Sequence, residues 1–153
     1  MAIALAAATR DIPIVMAVIG DPIASGLSNS ISRPSRNFTG FTTSSISLVA
    51  KRLELLHELV PGLGKVGYLW VPVNPLMKQR GEQVRMAADA LGIKLVSLPV
   101  TSSADIDAAF TLAEKEQVTA VIIETDELLV RFSGTIIDEC SVRNLPGMHA
   151  WSF

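Results

Sequence analysis

The sequence holds a single cysteine, Cys140, so no internal disulfide can form and the fold must rest on packing alone. A lone cysteine in an apolar, helix-like stretch reads as a small buried hydrophobe. A nucleophile would need a base, and nothing in the sequence brings either histidine, His57 or His149, beside it. The two histidines also lack the spacing of metal ligands, which argues against a metal site. Concentrated positive charge is missing as well. The formal net charge is -2, the pI is about 5.6, and Arg33 with Arg36 is the nearest thing to a basic cluster. Phosphate binding needs a basic face, so nucleic acid is not expected as a partner. No apolar run reaches the ~18–20 residues that a membrane-spanning helix requires. A Gly-x-Gly-x-x-Gly turn, a phosphate-binding loop and a Gly-x-Ser-x-Gly elbow are all missing, so neither catalysis nor a cofactor is expected.

What is present is a core. Hydrophobic residues make up 49% of the 153 residues against 18% charged, which excludes a disordered chain. The Ala-rich start, Met1 to Asp11, has no positive charge ahead of its apolar run. It reads as the end of a helix entering a strand rather than as an export signal, and on that reading the chain as written stays cytoplasmic. Ile12 to Ile19 is an almost unbroken apolar run ended by Gly20-Asp21-Pro22, the pattern of a strand buried on both faces. Ile23 to Ile31 fits a short helix, and Phe38 to Thr42 a short strand interrupted by Gly40.

From Ser45 the alternation becomes regular. Leu48, Val49, Leu53, Leu55, Leu56 and Leu59 supply the core stripe of a helix that Pro61-Gly62 ends. Strands are expected at Lys65 to Trp70, Ile93 to Leu98, Thr119 to Glu124 and Leu145 to Ala150. Helices are expected at Leu76 to Leu91, from Ser103 to about Gln117, and at Arg131 to Arg143, with a turn at Asp126 to Leu129. Strand and helix alternate, so the expected fold class is α/β: a doubly wound, flavodoxin-like parallel lobe with strand order 2-1-3-4 counted from Lys65. In such a sheet ligands bind beyond the carboxyl ends of the strands. That rule selects 71–75, 99–103, 125–128 and 149–153, with Asp21 a further candidate at the end of the earlier strand. Asn74 could cap a helix whose free N–H groups suit a carboxylate, Asp126 could pair with an amine, and Trp151 offers a flat apolar face.

Particular stretches carry a resemblance. IPIVMAVIGDPIASGL, RPSRNFTGFT and KRLELLHELVPG, followed by VGYLWVPVNP, AADALGIKL, SSADIDAAF and LPGMHAW, resemble the ABC-transporter substrate-binding proteins related to tryptophan- and tyrosine-binding lipoproteins. The resemblance runs from about Thr9 to Phe153. It implies a type I periplasmic-binding fold, with residues 1–42 as a remnant of a first lobe and its hinge crossover, and 43–153 as an incomplete second lobe. It further implies an exported, periplasmic or lipid-anchored protein that captures a small solute, an amino acid among the candidates, and hands it to an ABC permease. Asp21, Asn74, Asp126 and Trp151 are the expected solute contacts. A family glycine pair is replaced by Ser35-Arg36, and an aromatic hydroxyl near the end is replaced at His149. The alternatives are a truncated remnant that binds nothing strongly, and an α/β enzyme or ligand-sensing domain. The strand at Ile12 to Ile19, with no parallel neighbour expected from this chain, is a candidate edge for self-association.

Overall fold

The computed structural model describes residues 2–19, 21–23, 25–34, 37–42, 46–73 and 75–149. The chain divides into two units, Met1–Leu48 and Val49–Phe153.

In the first unit, helix α1 (Ala2–Ala8) leads into strand β1 (Ile14–Ile19), as the Ala-rich start implied. β1 pairs in parallel with β2 (Phe38–Thr42), Ile14 lying opposite Phe38. This overturns the expectation that the chain supplies no parallel neighbour for β1. The register shifts between Met16 and Ile19. Gly40 is the reason: its φ is +150°, and a Cβ there would stand 2.1 Å from the Met16 carbonyl oxygen. Only glycine permits this approach of two backbones, and it is accommodated as a bulge. Asn37 fastens the start of the pair, its Nδ2 donating to the Ile12 carbonyl at 2.6 Å while its own carbonyl accepts from Ile14 N at 2.8 Å. The short helix expected at Ile23 to Ile31 does not form. Its described residues make turns in which Leu27 N and Ser28 N both donate to the Pro22 carbonyl, and Gly26 takes φ +70°. Leu27 and Phe38 are the large apolar side chains buried here, whereas Val15 (73% exposed) and Phe41 (77%) face outward.

Helix α2 (Ile46–Leu59) runs across the boundary into the second unit, which continues with β3 (Lys65–Trp70), α3 (Pro75–Ala90), β4 (Lys94–Pro99), α4 (Asp105–Lys115), β5 (Ala120–Ile123), α5 (Glu127–Arg131), α6 (Ser133–Val142) and β6 (Gly147–Met148). The strands form one parallel sheet in the order β4-β3-β5-β6. Counted from Lys65 this is 2-1-3-4, the order expected of a flavodoxin-like lobe. Gly92 ends α3 at φ +68°, with Ile93 N closing onto the Ala88 carbonyl at 2.8 Å.

The pleat divides the core in two. Val121 and Ile123 join Leu69, Val96 and Leu98 against Phe110 of α4 and Ile136 of α6. Ala120 and Ile122 join Val66 and Tyr68 against Val49, Leu53 and Leu56 of α2 and Val84 and Ala88 of α3. Both faces of the sheet are covered by helices, which is why its strands read as continuous apolar runs.

Three local expectations are corrected. Residues 127–131 are helical, not a turn, because Asp126 caps them: Leu128 N donates to Asp126 Oδ1 at 3.1 Å. The helix expected at Arg131 to Arg143 forms as α6 but starts later, at Ser133, parted from α5 at Phe132, whose φ and ψ are -104° and 21°. The last strand is only Gly147–Met148, preceded by one further ladder bond from Val121 N to the Pro146 carbonyl.

Candidate functional site

Because β3, β4, β5 and β6 are parallel, the segments that follow Trp70, Pro99, Ile123 and Met148 leave the same rim of the sheet. This is where an open α/β sheet gathers ligand-binding groups. Asp126 stands on that rim, half-buried and extended at φ -139° and ψ 151°, with one carboxylate oxygen engaged as the α5 cap. Glu127 beside it is exposed. At the neighbouring position, Asp105 folds back onto the loop after β4. Its Oδ2 accepts from Thr101 N (2.8 Å), Thr101 Oγ1 (2.6 Å) and Ser102 N (2.9 Å). These bonds, the Thr101 hydroxyl foremost, hold its carboxyl below the usual range. α4 starts at Asp105 with Ala104 before it, later than the expected start at Ser103.

Asp21 lies in the other unit, at the end of β1, and its Oδ1 accepts from Ile23 N at 2.8 Å. Asn74 and Trp151, the remaining expected contacts, lie outside the described residues.

The sequence reading missed a buried charged cluster directly beneath the rim. Glu124 continues the alternation of β5 onto the face shared with α2 and α3, and its side chain is fully buried. Its Oε2 lies 3.3 Å from Arg80 Nη1 and its Oε1 3.5 Å from Arg52 Nη2. Thr125 N donates to Oε2 at 3.1 Å, and Arg52 Nη1 donates to the Ile123 carbonyl at 3.4 Å. Burial lowers the Arg52 pKa, and burial together with the Glu124 charge pushes the Tyr68 phenol up. A signal was available. Arg52 interrupts the Val49, Leu53, Leu56 stripe, and Arg80 falls between Met77 and Val84 on the buried side of α3. An arginine at a core position of each of two helices calls for a buried acid.

A groove of about 480 Å³ runs beside the edge strand, between α3 and β4, and includes neither Asp126 nor Glu124 in its lining. Tyr68 and Trp70 stack on its floor with ring centres 6.1 Å apart, and Trp70 Nε1 donates to Ser97 Oγ at 2.9 Å. Gly81 of α3 lines the groove next to the Tyr68 ring, where a Cβ would make an ordinary contact with Cε1 at 3.4 Å.

Comparison with known proteins agrees with this architecture. A tyrosine-binding protein of Clostridioides difficile is 28% identical over 123 residues, covering 80% of this chain and 35% of that protein. A conserved domain protein of Vibrio cholerae superposes with a TM-score of 0.84 at 26% identity, over 99% of this chain and 50% of that one. An ABC domain from Streptococcus pneumonia, in complex with L-Trp, superposes with a TM-score of 0.81 at 24% identity and the same coverage. The fold is that of type I periplasmic-binding proteins, and the chain spans about half the length of these structures. The family model described as ABC transporter substrate binding protein matches residues 1–150. The chain belongs to the ABC-transporter substrate-binding protein family.

Proposed function

We propose that this chain serves the solute-binding component of an ABC importer and that its solute is a small zwitterion of the amino-acid class, passed to a membrane permease. The observation that carries the reading is the family match across residues 1–150 on a sheet whose four carboxyl ends share one rim. Relatives named for tyrosine binding and solved with L-Trp support the choice of solute class. On this reading Asp126 pairs with the solute amine, Asn74 and the start of α3 hold its carboxylate, and Trp151 stacks on its apolar part. Asp21, beyond the end of β1, enters through its strand-end position and the family resemblance. A periplasmic or lipid-anchored location follows from the same family. Among the described residues no helix is long and apolar enough to cross a membrane. Self-association through β1 is part of the proposal, because among the described residues β1 pairs only with β2 and exposes Val15.

Calorimetric titration with a panel of amino acids and small carboxylates tests the solute class. Asp126→Ala is expected to weaken binding at least tenfold and, through the lost α5 cap, to cost about 1 kcal/mol of stability. Unchanged affinity in a folded Asp126→Ala chain would remove that residue from the site.

A further inference from the structure

The groove between α3 and the edge strand β4 lies within the second unit, and none of the segments that leave the carboxyl ends of the strands lines it. Its floor is rigid. Tyr68 is buried, and its ring lies within 20° of parallel to that of Trp70. Trp70 is half-buried and lines the groove, while its indole N–H is satisfied by Ser97. An indole tied at its polar edge and stacked on a second ring presents a fixed, flat apolar surface, part of which stays in water. One wall is a stripe of α3 on which Lys78, Glu82, Arg85 and Asp89 recur once per turn and alternate in sign. Among the described residues no ion pair joins any two of these four, so both signs stay open to a ligand. Lys94, also in the lining, is engaged elsewhere, 4.0 Å from Glu116.

We infer that this groove is a second small-molecule site, separate from the rim, and that it takes an aromatic amino acid, with the ring stacked on Trp70, the carboxylate toward Arg85 and the ammonium toward Glu82. Its volume of about 480 Å³ is that of a small-ligand site. The ligand class follows from shape and charge. A flat floor calls for a flat ring. A ligand of one charge would lose on one wall residue what it gained on the next, whereas a zwitterion meets a partner for each group. Glu82 and Arg85 stand about 4.5 Å apart along the helix axis, which suits two charged groups carried on one carbon. The groove is open to water, so each charged contact is worth little, and the affinity expected is about millimolar. The inference does not rest on the reading of the rim as the solute site.

The sequence holds two tryptophans, Trp70 and Trp151. In a chain carrying both Trp151→Phe and Asp126→Ala, Trp70 is the sole tryptophan and the rim has lost two of the contacts assigned to it, so the outcome bears on the groove alone. The probe is L-phenylalanine, which does not absorb where tryptophan is excited. A saturable change in Trp70 emission is expected. L-Alanine, which lacks the ring, should give none. Phenethylamine and 3-phenylpropionate each lack one charged group and should bind about two- to fivefold more weakly, as should L-phenylalanine to a chain with Glu82→Gln or Arg85→Gln added. Gly81→Leu fills the groove beside Tyr68 and should abolish the response while circular dichroism stays native. Should Gly81→Leu fail to fold, the exposed Glu82 and Arg85 substitutions carry the test; should the double background fail to fold, Trp151→Phe alone keeps the readout on Trp70. No saturable response to L-phenylalanine, an equal response to L-alanine, or a response that survives Gly81→Leu or is indifferent to both wall substitutions would overturn the inference.

Discussion

Tyr68 is the chain's single tyrosine, and its position ties the α2–α3 face of the core to the charged cluster. Burial first, and the nearby Glu124 carboxylate second, oppose formation of the phenolate and raise its pKa in the folded state. The sign follows from linkage. A group with a raised folded pKa contributes stability that is intact below its unfolded value, near 10, and that declines as the pH climbs beyond it. An ultraviolet titration should therefore show no phenolate at pH values somewhat above 10 while circular dichroism remains native, and phenolate should appear together with unfolding. Phenolate formed at an ordinary pKa with the fold intact would show that the ring is not sealed. The acidic side has a counterpart in Asp105. Its depressed pKa gives a contribution present above the ordinary carboxylate value and lost as pH falls through the folded one. Asp105→Asn should flatten the acid limb of stability in that window.

At the scale of elements, the second unit depends on how closely β3 is packed. Gly67 lies at its centre, and a Cβ there would stand 2.6 Å from Leu98 Cδ1 and 3.3 Å from Val118 Cγ1. Both neighbours belong to the buried cluster on the α4 face. Gly67→Ala is expected to cost about 1–3 kcal/mol, because an overpacked core answers with off-rotamer side chains. Urea unfolding measures it, and a midpoint equal to that of the unsubstituted chain would mean that Leu98 rotates away freely. Gly40 shows the same economy between strands, where the alternative to glycine is not a side-chain adjustment but a collision with the Met16 carbonyl.

At the scale of the whole molecule, buried apolar mass is unequally shared. Both core clusters belong to residues 49–153, whereas Leu27 and Phe38 are the large buried apolar side chains described in residues 1–48. Amide hydrogen exchange should accordingly be slowest in β3 and β5 and fast in β1 and β2. Equal protection of β1 and β5 would contradict this ordering. Sedimentation over a range of concentrations should show self-association in proportion to the exposure of Val15 and Phe41, and Val15→Lys should reduce it. A strict monomer at high concentration would refute the role given to that edge.

Much of this was legible in the sequence, for definite reasons. Apolar runs such as TAVIIE and KVGYLW, spaced by crossovers of helix length, admit few arrangements other than a parallel sheet with right-handed crossovers, and the flavodoxin-like pattern supplied its order. The rim followed from the same logic, since parallel strands must end together. What the sequence left open depended on contacts between residues far apart in the chain. Nothing local reveals that Phe38 to Thr42 would lie against Ile14 to Ile19, because strand pairing is decided by partners and not by propensity. Nor could local patterns set the length of the last strand, where Gly147–Met148 extends only as far as its pairing with Val121 and Ile122. Glu124 is the sharpest case. Read alone it is the polar end of a strand, and Arg52 and Arg80 are charged residues on amphipathic helices. Alternation in β5 determined which face the carboxylate would take, but only the packing of α2 and α3 on that face brought two arginines to it, since the cost of burying any one of these charges is met only when the others are already in place.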